Sequence, residues 1–284
     1  MKNALTIDVE DWYMTQDFHF DYHTWGKYED RVEYSTQLLL DTLAELNIKA
    51  TFFVLGCVAE KHPGLIGKMI KQGHELASHG YAHQMVSKMS KDEFRDDIKK
   101  SKNLLEDISG IGINTFRAPT WSIAKESLWA LEVLEEEGFL YDSSIQPFMT
   151  PLSGINNVPL EFFYPRVNGK TLKLLEIPPG IGQIGPFKFP FAGGLYFRVI
   201  PYFIVKSLVK MTNIKRPLVS YFHPWEVDPK QPRLDVSPLI KIAHYYHLEN
   251  NLKKIKQFLK DFDCMPIREV IQADGDYPVF EICN

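Results

Sequence analysis

Two histidines stand four residues apart in Glu75-Leu-Ala-Ser-His79-Gly-Tyr-Ala-His83, and an acidic cluster, Thr6-Ile-Asp8-Val-Glu10-Asp11-Trp12, lies near the start of the chain. Two neutral imidazoles and one carboxylate are a three-ligand set that holds a catalytic divalent ion of the zinc type and leaves positions open for water. If folding gathers these groups, the chemistry is metal-assisted hydrolysis. Other polar residues recur in a similar context. Asp8 closes Leu5-Thr-Ile, Arg117 follows Thr115-Phe, and His223 follows Val219-Ser-Tyr-Phe. An acid, a cation and a further histidine thus each end an apolar run. Singly, each has a plainer explanation. His-x3-His is often two surface histidines, Asp8 suits a helix cap, Arg117 an ordinary ion pair, and His223 a hydrogen-bonded core residue. Their common placement carries the functional reading.

Such placement needs a scaffold that brings several strand ends to one face. The pattern alternates strands and helices, which predicts a parallel sheet covered by helices. Strands are expected over 5–8, 49–55, 75–78, 115–117, 172–177 and 217–222. Helices are expected over 36–46, 63–72 (opened by Pro63), 124–137 (stopped by Gly138) and 251–262. Ser90-Lys-Asp-Glu93 reads as a capping box opening a helix that runs to about Ser109-Gly110. In a parallel α/β barrel the C-terminal strand ends share one rim, and active sites are built there. Residues 1–284 read as one catalytic domain, with an elaborated Gly-, Pro- and Phe-rich loop around 178–215 and a C-terminal helical portion over 234–284.

The chain has 284 residues, 45% of them hydrophobic, which suffices for a large core without disulfides. Its net charge of −4 and lack of a Lys/Arg block exclude a nucleic-acid partner. Cys57, Cys264 and Cys283 form neither a disulfide framework nor a CxxC metal site. No secretory leader and no run of about 18 apolar residues is visible, so the expected location is the cytoplasm. The stretch from Phe187 to Lys210 mixes aromatic, apolar and basic residues. It could touch the inner membrane surface, or serve as a buried lid or oligomer contact.

Five segments taken in order, Thr6-Ile-Asp8-Val-Glu10-Asp11, His79-Gly-Tyr-Ala-His83, Phe116-Arg117-Ala-Pro119-Thr120, Tyr141-Asp142-Ser-Ser and Ser220-Tyr-Phe-His223-Pro-Trp225-Glu226, resemble the motifs of the polysaccharide deacetylase (NodB-like, carbohydrate esterase) family. Gly193-Gly-Leu-Tyr-Phe-Arg198, His-Pro-Trp-Glu226 and Gln231-Pro-Arg233 resemble the subgroup associated with exopolysaccharide loci. The resemblance implies an α/β fold, an irregular (β/α) barrel with fewer than eight complete units. It also implies removal of N- or O-acetyl groups from glycans with a divalent metal, most simply Zn2+. The substrate would be an N-acetylated sugar of a polysaccharide, a lipid-linked glycan or its precursor. The first motif departs from the commonest family form, in which two adjacent aspartates supply base and ligand. Here the base position is Asp8, and the ligand falls on Glu10, with Asp11 as the alternative. This variation also leaves room for an amidohydrolase acting on a cyclic imide or ureide.

By the same resemblance, Glu10, His79 and His83 would hold the metal, Asp8 would be the general base, and His223 would protonate the leaving nitrogen. Arg117 would orient Asp8, and Asp142 would tether Arg117 or His223. The Thr120 backbone N–H would stabilise the oxyanion. Trp12, Trp121 and Trp225 follow motif residues closely and are candidate sugar-stacking walls, with core packing as the equal alternative. His74 reads as structural. His19 and His23 read as belonging to a surface loop.

Overall fold

The computed structural model describes residues 1–150, 152–271 and 275–283. Strand β1 (Asn3–Val9) is buried at every position, as expected of a parallel strand covered on both faces. β2 (Thr51–Val54), β3 (Glu75–Ser78), β4 (Thr115–Phe116) and β5 (Tyr141–Asp142) follow it in sequence and in space. Helices α1 (Val32–Leu46), α2 (Gly56–Lys61), α3 (Pro63–Lys71), α4 (Lys91–Ser109) and α5 (Trp129–Glu136) make the crossovers. The chain then forms the antiparallel pair β6 (Tyr164–Val167) and β7 (Lys170–Thr171), strand β8 (Leu175–Glu176), the hairpin β9 (Ile181–Ile184) and β10 (Phe187–Pro190), and helices α6 (Gly194–Val199) and α7 (Tyr202–Thr212). β11 (Val219–Phe222), α8 (Pro238–Tyr245), α9 (Leu248–Asp261), β12 (Cys264–Met265), α10 (Ile267–Val270) and β13 (Val279–Glu281) complete it.

The main sheet runs β11-β1-β2-β3-β4-β5-β8 with every pairing parallel, and β12 lies beside the start of β1. It curls into the expected irregular (β/α) barrel. The gap between its edge strands is crossed by the segment after β8, where Gly180 N–H donates to Val219 O at 2.8 Å. Register decides the functional consequence. Ile7 lies opposite Phe52 and Phe222, and Ser78 opposite Val54 and Phe116. Asp8, His79, Arg117 and His223 are therefore carried to the same rim.

Several expected boundaries shift. α1 begins at Val32 rather than Thr36, because its first amides are capped from a distance: Asp11 Oδ2 accepts from Arg31 N (2.7 Å) and Val32 N (2.9 Å). No local cap could announce that start. The helix expected over 124–137 is a 3-10 turn at Lys125–Ser127 followed by α5. The stretch expected as an elaborated loop holds the β9–β10 hairpin and two helices. The C-terminal portion is not purely helical: it adds β12 and β13, the latter paired with the distant β6. Long-range pairing of a short strand leaves no periodic trace in sequence. Ser90 and Glu93 form the expected capping box, and Gly110 (φ 70°) ends α4. Among the described residues, no helix is long and apolar enough to cross a membrane.

Candidate active site

β1 ends by delivering Asp8 and then, one bend later, Glu10. Both carboxylates are buried. β3 delivers His79, and the turn after it returns His83. Gly80 makes that turn: its φ is +73°, and a Cβ there would meet Asp97 Oδ2 at 2.8 Å. The same Asp97 oxygen accepts from Tyr81 N at 2.9 Å, so α4 holds the loop in place. Glu10 Oε1 lies 3.0 Å from His79 Nε2 and 3.0 Å from His83 Nε2. Asp11 does not compete for this place, since its oxygens cap α1 and accept from Trp12 N. Burial pushes the Asp11 carboxyl up to about 7 despite those backbone donors.

The donor set fits a divalent cation. His79 Nδ1 lies 2.8 Å from the Arg117 carbonyl oxygen, which can only accept, so Nδ1 carries the hydrogen. A neutral His79 then aims its Nε2 lone pair at the Glu10 carboxylate. Two lone pairs facing each other are repulsive unless a cation lies between them, and such an outer hydrogen bond is the usual orienting device for a metal-ligating histidine. His83 Nδ1 faces the Gln16 side-chain amide at 3.5 Å. Burial would raise the Glu10 pKa. Electrostatic interaction with His83 and His223 overcomes that and holds it well below the usual range. Asp8, Glu10 and His223 form a second, overlapping group of closely spaced ligand atoms. There, however, Asp8 is already paired with a guanidinium and His223 with a carboxylate.

Arg117 is fully buried. Its Nη1 donates to Asp8 Oδ1 (2.6 Å) and Thr6 Oγ1 (2.8 Å), its Nη2 donates to Ser143 Oγ (2.9 Å), and its guanidinium sits 4.0 Å from the centre of the Phe53 ring. The second Asp8 oxygen faces His223 Nε2 at 3.9 Å. His223 is held from behind. Glu226 Oε2 accepts from the His223 backbone N–H (3.0 Å) and lies 3.1 Å from its Nδ1, and Arg198 Nε donates to Glu226 Oε1 at 3.0 Å. Burial opposes His223 protonation, but interaction with Glu10, the Glu226 hydrogen bond and the Glu226 and Asp8 charges push its pKa up to about 9.

Two expectations about supporting residues change, and two further residues enter the site. Asp142 tethers neither Arg117 nor His223. It accepts from Ser144 Oγ (2.5 Å), which in turn accepts from Ala118 N, so Asp142 braces the Arg117 loop through backbone while Ser143 contacts Arg117 itself. Trp12 is no cleft wall. It is buried against Tyr13, Phe18 and Tyr28, with Nε1 donating to Glu29 O. Glu226 and Arg198, standing behind His223, carried no expected role. The His-x-x-Glu spacing, a capping-box geometry, signals Glu226; nothing local signals Arg198, 28 residues away.

Asp8, Glu10, His83, Arg117 and His223 open onto a cavity of about 250 Å³. Thr120, Trp121 and Trp225 line it with Tyr196 and Tyr221. Thr120 (φ 59°) and Trp121 (φ 51°) are both left-handed, a strained arrangement for a β-branched residue that is typical of functional loops. The Trp225 ring is stacked between His223 and His244. His19 and His23 are exposed and line a neighbouring groove that shares Gln16 and His83 with the cavity. His74 is structural, its Nδ1 accepting from Ala50 N.

A parallel, curled barrel with a His-His-carboxylate centre beside an Asp-Arg pair defines the class. Within it, residues 19–138 match the polysaccharide deacetylase family, and residues 143–272 match a domain of unknown function (DUF3473). Residues 19–138 are thus similar to polysaccharide deacetylase domains. A peptidoglycan-N-acetylglucosamine deacetylase of Bacillus cereus is 37% identical over 98 residues, which are 34% of this chain and 36% of that protein. The chain therefore matches little more than a third of that relative's length. A structure from Mycobacterium smegmatis described as a polysaccharide deacetylase superposes with a TM-score of 0.58 at 20% identity, covering 93% of this chain and 85% of that one. A family 4 carbohydrate esterase pseudoenzyme from Bacillus anthracis shares the fold at a TM-score of 0.50 and 15% identity, covering 99% and 69%. The fold alone therefore does not carry activity, and the reaction must be argued from the site.

Proposed function

We propose that the protein is a metal-dependent deacetylase that hydrolyses the N-acetyl group of an amino sugar in a glycan, polymeric or lipid-linked, of the exopolysaccharide type. The observation that supports this most is the convergence of Glu10 Oε1 on both His79 Nε2 and His83 Nε2 beside the Asp8–Arg117 pair. Glu10, His79 and His83 would hold the cation, with Zn2+ the natural choice for such ligands. When bound, it supplies Lewis acidity that polarises the acetyl carbonyl and acidifies water.

The remaining work falls to the chain. Asp8, held by Arg117, takes the proton of the attacking water. His223, whose Nε2 lies 3.9 Å from Asp8 Oδ2, is kept cationic by its acidic neighbours and passes a proton from Nε2 to the departing nitrogen. Glu226 accepts from Nδ1–H and so keeps the ring turned with Nε2 toward the cavity. Thr120 presents backbone N–H to the developing oxyanion. Trp121 offers a ring against which a sugar face can pack, whereas both faces of Trp225 are taken by His223 and His244.

The test is acetate release from N-acetylglucosamine oligomers by the purified chain loaded with Zn2+. Turnover that stops with chelator and with His79→Ala supports the reading. Glycan binding without turnover under several divalent metals would overturn it. Opening of small cyclic imides without acetate release would move the chemistry to a different amide on the same scaffold.

A further inference from the structure

Residues 177–225 contain six lysines and arginines and not one aspartate or glutamate. The rest of the chain is acidic: 36 acids in 284 residues would place about six in a stretch of that length. This acid-free segment also carries the most protruding apolar side chains of its region. Phe187 at the β9–β10 turn is 74% exposed, Phe203 on α7 is 71% exposed, and Ile214 just past α7 is 78% exposed. Ile184 and Met211 are exposed as well. Phe203, Ser207, Met211 and Ile214 follow helical spacing along one side of α7. The hairpin and the C-terminal half of α7 are neighbours, since Gly182, Gln183 and Gly185 line one cavity with Leu208, Met211 and Ile214.

Two acids from other elements approach this face, and both are taken up. Asp261 pairs with Lys206 (2.9 Å), and Glu161 lies 4.0 Å from Arg216. Lys210 and Lys215 are exposed, and neither has a salt bridge among the described residues. The face therefore presents protruding aromatic and aliphatic side chains together with the exposed cations Lys210 and Lys215.

We infer that the face formed by the β9–β10 hairpin and α7 docks the protein on an anionic lipid surface. Apolar side chains that stand out from a basic face insert at the boundary between headgroups and acyl chains, while lysines gain from the negative surface potential. A second copy is a poor occupant. An isologous contact would set Lys210 and Lys215 against the same lysines of the partner, and like charges brought together oppose association. The inference is independent of the proposed reaction.

The experiment is sedimentation of the full chain with vesicles of phosphatidylcholine alone and with added phosphatidylglycerol. Binding is expected only to the anionic vesicles and should weaken with salt. Lys210→Gln with Lys215→Gln should lower the partition coefficient about fivefold per lysine. Phe187→Ser with Phe203→Ser should lower it at least about tenfold, while acetate release from soluble oligomers stays unchanged. Equal binding to both vesicle types, no binding, or wild-type binding by the folded variants would overturn the inference. So would light scattering that shows a dimer abolished by the Phe187/Phe203 change.

Discussion

At the scale of single residues, the proposed reaction separates metal holding from proton handling. Glu10, His79 and His83 meet at one carboxylate oxygen. Removing any one leaves a two-ligand site. Glu10→Ala is expected to abolish stoichiometric zinc binding, read by metal analysis after dialysis, and to lower kcat about 10³-fold through the several kcal/mol of lost charge stabilisation. The His223–Glu226 pair makes a different prediction. Glu226 favours the protonated imidazole, and a general acid works only while protonated. Activity should therefore fall on the alkaline side as His223 loses its proton. Glu226→Gln lowers the His223 pKa, so the alkaline limb of the kcat profile should move to lower pH, with kcat reduced roughly 10- to 100-fold. An unmoved limb would mean that Glu226 only packs. The His-x3-His pair, Asp8 and His223 were readable at this scale because catalysis demands particular side chains at particular spacings. The choice of Glu10 over Asp11 was not, because it depends on which way the backbone bends after β1.

At the scale of elements, the rim is built by strand ends and steadied by helices that touch it indirectly. α4 is fixed by the Ser90 box and, through Asp97, holds the loop between the two histidines. Ser90→Ala should cost about 1 kcal/mol in a thermal or denaturant melt while leaving kcat near wild type, because it frays a helix end remote from Asp97. The seam between β5 and β8 behaves differently. Asp142 and Glu176 lie together without solvent, and burial followed by the Asp142 charge raises the Glu176 pKa well above the usual range. An acid whose folded pKa is raised adds stability below its unfolded value of about 4.5, and that stability is lost as pH climbs through the folded value. Tm should thus decline from pH 5 upward. Glu176→Gln, which cannot ionise yet can still donate to Asp142, should flatten that decline. Periodicity and capping chemistry exposed α4 and β3 in the sequence, whereas the first turn of α1 was not legible because its cap is Asp11, twenty-one residues before Val32.

At the scale of the whole molecule, the two segments matched by different families share one sheet. β1 pairs with β2 on one side and with β11 on the other, and β5 pairs with β8. Residues 1–142 expressed alone would expose β1 and β5 as bare apolar edges, a recipe for aggregation. Such a fragment is expected to be insoluble or to lack cooperative unfolding by circular dichroism, whereas the full chain melts in one transition. By itself, the sequence determined the alternation of strands and helices, the barrel class and the side chains able to do the chemistry, because burial and reactivity are written in residue type and period. Only the tertiary structure decided which acid meets the histidines, that Trp12 is core, that Asp142 braces backbone, and that Arg198 stands behind Glu226. Each of those outcomes depends on the direction in which a side chain leaves a bend, and that direction is set by packing against residues tens to hundreds of positions away.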